Sequence, residues 1–157
     1  MADAAALRDL IGRLELEDGR NRLLDAEIAV AAFETQSTAD DLIYAQKTHP
    51  DDRCALGTYW RVSRSGRSLR EAPQFTSSVD SALTLVPDDW RIASLRQRDP
   101  TLAHDTHCVA LDPFDQNHPG WGVKHKVVDG RGATLPISLC IAALRARLAL
   151  MEEPDHA

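Results

Sequence analysis

Residues 132–153 read GATLPISLCIAALRARLALMEE. Ile137, Ile141, Leu144 and Leu148 recur at helical spacing, with Cys140 and Met151 beside the stripe and Arg145 and Arg147 expected on the wet side. Thr134 is an N-cap type, and Pro136 falls in the first turn, where a missing N–H costs nothing. A helix with such a stripe needs a surface to lie on, so the question is what the rest of the chain supplies.

Two more helices stand at the other end. Leu7, Leu10, Ile11 and Leu14 form one stripe over about residues 3–16, ended by Asp18-Gly19. RLLDAEIAVAAFE follows at once, with Leu24, Ile28, Ala31 and Ala32 on one face, so the two form a helical pair. Residues 35–57 are polar and irregular, with a short helix expected around Asp40–Gln46. TYWRVS has strand residues, and SRSGRSLREAP reads as a loop. In FTSSVDSALTLVP, Ser77 is the expected cap, Val79, Ala82, Leu83 and Val86 the stripe, and Pro87 the stop.

Three strand candidates come next. WRIASLRQ sets Trp90, Ile92 and Ser94 against Arg91, Ala93 and Leu95. HCVALDP places His107, Val109 and Leu111 on one face and reads as the more buried. WGVKHKVVDG places Trp121, Val123, His125 and Val127 on one face, with Lys124 and Lys126 opposite. The turn residues between them suit antiparallel pairing. The expected order is αα–β–α–βββ–α. That is an α+β protein, read as a layered α/β/α sandwich on a mostly antiparallel sheet of about four strands, with an N-terminal helical pair, a central short helix and a C-terminal helix.

Composition narrows the function classes. The 157 residues suit one domain over 1–157, and the net charge of −6 opposes non-specific nucleic-acid binding while leaving room for a local basic patch. No apolar run has the length of a membrane span, and the acidic first turns lack the basic start of a secretory signal. Cys54, Cys108 and Cys140 form no CxxC pair, which fits reduced thiols in a cytoplasmic protein.

LLDAEIA, FTSSVDSALTLVPDDW and GATLPISLCIAALRARLAL together resemble the phage ABA sandwich domain family, small proteins of bacterial phages and prophages. The resemblance covers about residues 5–34 and 73–151. It leaves 35–72 as an insertion or a long connection. It implies an α/β/α sandwich and a phage or prophage setting, and it carries over no catalytic residue.

Four candidate sites remain. THPDDRC, residues 48–54, is similar to the His-Pro-Asp-Asp-Glu motif of zinc-dependent sugar N-deacetylases, which implies His49 and Asp52 as ligands and Asp51 as base. Arg53 stands where that motif has an acid, so the expectation is no metal there. His49, Asp52, His104 and His107 are kept as the runner-up set. The histidines His104, His107, His118 and His125 with Cys108 match no common closed metal site, and His107 and Cys108 point oppositely on a strand. Arg61, Arg64, Arg67 and Arg70 fall every third residue in 58–70, a stretch without an acid, with small residues between them. They suit an anion. Trp60, Trp90 and Trp121 each sit at the edge of a strand candidate and suit a ligand platform or an oligomer seam.

No phosphate-binding glycine loop and no nucleophile elbow occurs. The leading reading is a phage or prophage accessory protein that binds or assembles and needs no cofactor. Its partner would be protein, either a second copy or a phage or host chain, with no membrane and with nucleic acid disfavoured. The alternatives are a small-anion or nucleotide binder using the arginines and, last, a zinc-dependent hydrolase.

Overall fold

The computed structural model describes residues 3–34, 42–45, 57–97, 107–113 and 127–152. Helices α1 (Ala4–Glu15) and α2 (Arg22–Glu34) come first. Strands β1 (Leu42–Ala45), β2 (Thr58–Ser63) and β3 (Gly66–Glu71) follow, then the short helix α3 (Val79–Leu83). Strands β4 (Trp90–Gln97), β5 (His107–Pro113) and β6 (Val128–Gly132) lead into α4 (Leu135–Glu152). The class is α+β, and every described strand pair is antiparallel. The described strands do not join in one sheet of about four. They make two sheets of three, ordered β1-β2-β3 and β4-β5-β6.

The helices stand where the apolar spacing puts them. Leu7, Leu10, Ile11 and Leu14 are all buried on α1, and Asp3 caps its first turn by accepting from Ala5 N. Asn21 caps α2 by accepting from Leu24 N. Thr134 Oγ1 accepts from Ile137 N at the start of α4. The cap of α3 is Ser78, one residue later than expected, its side chain accepting from Ser81 N.

α4 differs from the expected one-sided helix. Its side chains are buried nearly all round, from Ile137 to Leu144 without a break and again at Ala146 and Ala149. A helix apolar on every side belongs inside the molecule. α4 lies on β5 and β6 and also packs against α1 and α3. The arginines expected on its wet side are tethered. Arg145 donates to Asp129 O at 2.7 Å and pairs with Glu15, while Arg147 Nε donates to Leu85 O at 2.9 Å. Arg8 and Glu152 pair at the far end of the α1–α4 contact.

The approach of α4 to β6 depends on two glycines. A Cβ on Gly130 would stand 2.2 Å from Ser138 O and 2.5 Å from Ala142 N, and one on Gly132 would meet Ile137 Cγ2 at 2.8 Å. Gly130 and Gly132 are therefore the buried positions of β6. This overturns the face assigned to Val127, which is 55% exposed and precedes the strand. Residues 121–126 of that predicted strand lie outside the described residues.

Three other expectations change. The short helix placed around 40–46 is strand β1 over residues 42–45. The loop 63–73 is largely strand β3, joined to β2 by the two-residue turn Arg64-Ser65. In β4 the register slips between Ile92 and Ser94, so Ile92 stands opposite Leu111 and Leu95 opposite Val109. Val109 and Leu111 are fully buried as expected, whereas Ile92 and Leu95 keep exposed surface because α4 lies over β5 and β6.

Gly130→Ala should lower stability by about 1–3 kcal/mol, because the new methyl meets backbone and α4 must lift. Gly12→Ala, on the exposed side of α1 with open space around it, should raise stability by about 0.5–1 kcal/mol. Thermal melts of both variants check this, and an unchanged midpoint for Gly130→Ala would mean that α4 does not sit on the glycine strand.

Candidate functional site

The four arginines sit on the β2–β3 hairpin. Its turn residues keep negative φ and Gly66, at φ 131°, bends the chain into β3, a conformation that favours glycine. The register pairs Tyr59 with Arg70, Trp60 with Leu69, Arg61 with Ser68 and Val62 with Arg67. Directly opposed residues share a face, so the arginines divide. Arg61 and Arg70 lie on one face with Tyr59 and Ser68, Arg67 lies on the other with Trp60 and Leu69, and Arg64 is at the tip.

Arg67 stacks its guanidinium over the Trp60 ring, 4.4 Å from the centroid. Arg64, Arg67 and Arg70 are exposed and Arg61 is half-buried. On the other side of β2, Tyr44 stands opposite Trp60 in the β1 ladder. Serines knit the turn, with Ser63 Oγ 2.8 Å from Ser65 Oγ. A shallow groove at the hairpin base is lined by Tyr59, Ser68, Leu69, Arg70, Glu71 and Pro73, and a second, against Ser78 and Ser81, shares Glu71 and Pro73 with it.

The hairpin base is anchored by a buried polar cluster that the apolar spacing did not reveal. Asp25, on α2, is fully buried. One carboxylate oxygen accepts from Thr76 N at 2.7 Å, and the other accepts from Arg22 Nη1 at 2.8 Å. Arg22 also donates to Ala72 O at 2.9 Å and to Pro73 O at 3.3 Å, and it pairs with Glu71. The guanidinium passes directly over Gly57, where a Cβ would come within 2.5 Å of Nε. Gly57, at φ 95°, accepts from Ala72 N at 2.8 Å and so closes the hairpin. The Thr76 hydroxyl accepts from Asn21 N at 2.9 Å. Next to the cluster, Cys140 Sγ donates to Phe75 O, and burial, with Asp25 adding, pushes the thiol well above its usual range. The one sequence signal for this cluster is the aspartate inside the apolar run LLDAEIAVAA.

The other candidates do not meet at one site. Trp60 and Trp90 belong to different sheets, Trp90 is buried, and Trp121 lies outside the described residues. Arg91 is held by Asp112 across the ladder through Nε at 2.9 Å. Of the runner-up metal set only His107 is described, on β5, while His49, Asp52 and His104 lie outside the described residues, as do Asp51, His118 and His125. Among the described residues no three His, Cys, Asp or Glu side chains form a group that would hold a metal ion, and no helix is long and apolar enough to cross a membrane. Comparison with models of protein families, with curated proteins and with solved structures found no match.

Asp25→Ala should destabilise the protein by about 3–5 kcal/mol, because it leaves the nearly buried Arg22 guanidinium and Thr76 N–H without their carboxylate. Chemical denaturation measures the loss. Replacing Arg22 with Met in the same chain should recover part of it, since the stranded charge is then gone. A loss below about 1 kcal/mol would show that the pair is solvated.

Proposed function

We propose that this chain is an accessory protein of phage or prophage type that acts by binding or assembly, with the basic β2–β3 hairpin as its recognition element. One observation carries the reading: four arginines, without an acid between Thr58 and Arg70, project from two faces and the tip of one hairpin in a chain of net charge −6. A small anion has access to one of those faces at a time. An extended acidic surface can take all of them, because it can straddle the hairpin.

The phage setting rests on the sequence resemblance. Two of the stretches that carry it, LLDAEIA and FTSSVDSALTLVPDDW, touch through the buried hydrogen bond from Thr76 N to Asp25. The layered α/β/α sandwich belongs to the same proposal, with β4–β6 on one side of α4 and α1 and α3 on others. β1, β2 and β3 all fall within 35–72, so on this reading the hairpin sheet is an addition to that sandwich.

A second reading, a small-anion or nucleotide site, draws on Arg61 and Arg70, which share a face with Ser68 between them in the ladder. It requires saturable binding of nucleotide that Arg67→Ala leaves unchanged.

Chromatography on immobilised heparin, a generic polyanion, tests the leading reading. The protein should be retained at low salt despite its acidic pI and should elute as salt rises. Arg64→Ala with Arg67→Ala should pass unretained while melting as the parent does, since both side chains are exposed. Passage of the parent protein unretained would contradict a basic recognition element.

A further inference from the structure

Going beyond the recognition reading and standing without it, we propose that the outer edge of β3 is a dimer seam, where a second copy of this chain pairs antiparallel and the two hairpin sheets become one. β3 ends the order β1-β2-β3. The register and the bond from Ala72 N to Gly57 O set the parity of the β2–β3 ladder: Gly66, Ser68, Arg70 and Ala72 turn their backbone groups toward β2. Arg67, Leu69 and Glu71 therefore turn theirs outward. Among the described residues, nothing bonds the backbone of Leu69 or Glu71 on that side. The groove at the hairpin base meets Ser68, Leu69, Arg70 and Glu71 in turn. Successive strand side chains alternate faces, so a hollow that meets all of these follows the strand's edge. An open edge is a template for a further strand.

The side chains of GRSLRE choose a second copy as the occupant. With Leu69 opposite Leu69 of the second copy about a two-fold axis, each exchanges both backbone bonds with the other. Arg67 then stands opposite Glu71 of the second copy, and Glu71 opposite its Arg67, on the face where the two Leu69 side chains meet. On the other face Ser68 stands across from Arg70. The Glu71 side chain is 79% exposed and reaches Arg22 only at 3.3 Å, and Leu69 is 38% exposed. The pairing uses the Arg67 charge and leaves the guanidinium on Trp60. Other registers are poorer. A shift of one residue sets outward backbone groups against inward ones. A shift of two sets Arg67 or Glu71 opposite Leu69, and in one direction Arg70 opposite Arg70. Charges on an edge ordinarily guard it against pairing. Here their opposite signs, placed symmetrically about Leu69, admit an identical strand, whereas a wholly acidic or wholly basic one meets a like charge at Glu71 or at Arg67. Continued in register, the second hairpin's tip is carried past Glu71 toward Pro73 and Gln74, where the other groove opens.

The test is sedimentation velocity of the full chain from about 5 to about 500 µM, because a seam this short suits a weak dimer. The parent should pass from monomer to dimer as concentration rises. Leu69→Pro removes an outward N–H and spares the β2 ladder, so it should stay monomeric. Arg67→Glu and Glu71→Arg each bring like charges together, and each alone should associate about tenfold more weakly than the parent or worse. Mixed in equal amounts, the two variants have complementary edges and should form a heterodimer as readily as the parent forms its dimer. A folding defect in either variant cannot produce that rescue, so the mixture decides the matter should Leu69→Pro fail to fold. The proposal is overturned if the parent stays monomeric throughout, if Leu69→Pro folds and still dimerises, or if the mixture associates no better than its components. Heparin retention separates the seam from the recognition reading. A retained protein that is monomeric throughout overturns the seam alone, and a dimer that passes unretained upholds the seam and overturns the recognition element alone.

Discussion

The Asp25 carboxylate has no access to water, and its two oxygens fix two different parts of the chain. One holds the backbone at Thr76 and the other holds Arg22, which in turn grips the carbonyls of Ala72 and Pro73. A carboxylate this deep is tolerated only when it is hydrogen-bonded, and here each oxygen accepts from a donor, one charged and one neutral. The result is a rigid corner where β3 ends, α2 begins and the chain turns toward α3. Gly57 completes the corner, since the guanidinium occupies the space a side chain would need. The direction in which the hairpin leaves the core follows from this corner, and with it the presentation of the arginines.

The second sheet is held differently. Its contact with α4 is apolar and close, set by the missing side chains of Gly130 and Gly132 and by the alanines of the helix. The nearest polar group, the Ser138 hydroxyl, is satisfied by donation toward His107 O and Thr134 O. The ion pairs that flank α1 and α4, Arg8 with Glu152 and Glu15 with Arg145, are partly exposed and add little beside burial of the apolar side chains. One half of the molecule thus rests mainly on packing, while the hairpin half depends on a buried charge.

What could be read from the sequence follows the same division. α1, α2 and α4 announce themselves because long apolar repeats at helical spacing have few alternatives. β5 does so because Val109 and Leu111 alternate with the smaller Cys108 and Ala110 and with Asp112. β3 gives no such sign: GRSLRE has one apolar side chain, Leu69, among polar ones, and its pairing with β2 supplies the order that its own residues do not. β1 has four residues, too few to show a period, and follows aspartates that favour a helix start. In β6 the glycines carry no apolar pattern to read, although they mark where helix and strand approach closely. The four arginines were legible as a basic stretch, but their division between two faces needed the register. Asp25 stands out as an acid within an apolar run, but its partners Arg22 and Thr76 look like ordinary polar positions and give no sign of the pairing.

Hydrogen exchange followed by mass spectrometry on the parent and on Asp25→Asn addresses the central claim, that one buried carboxylate fastens the hairpin sheet to the helical core. The substitution keeps the shape and removes the charge. The account predicts that protection falls selectively over residues 57–76, where Arg22 and Asp25 hold the backbone, while α4 and β4–β6 keep theirs. Equal loss of protection across α4 and the hairpin, or none in either, would contradict it.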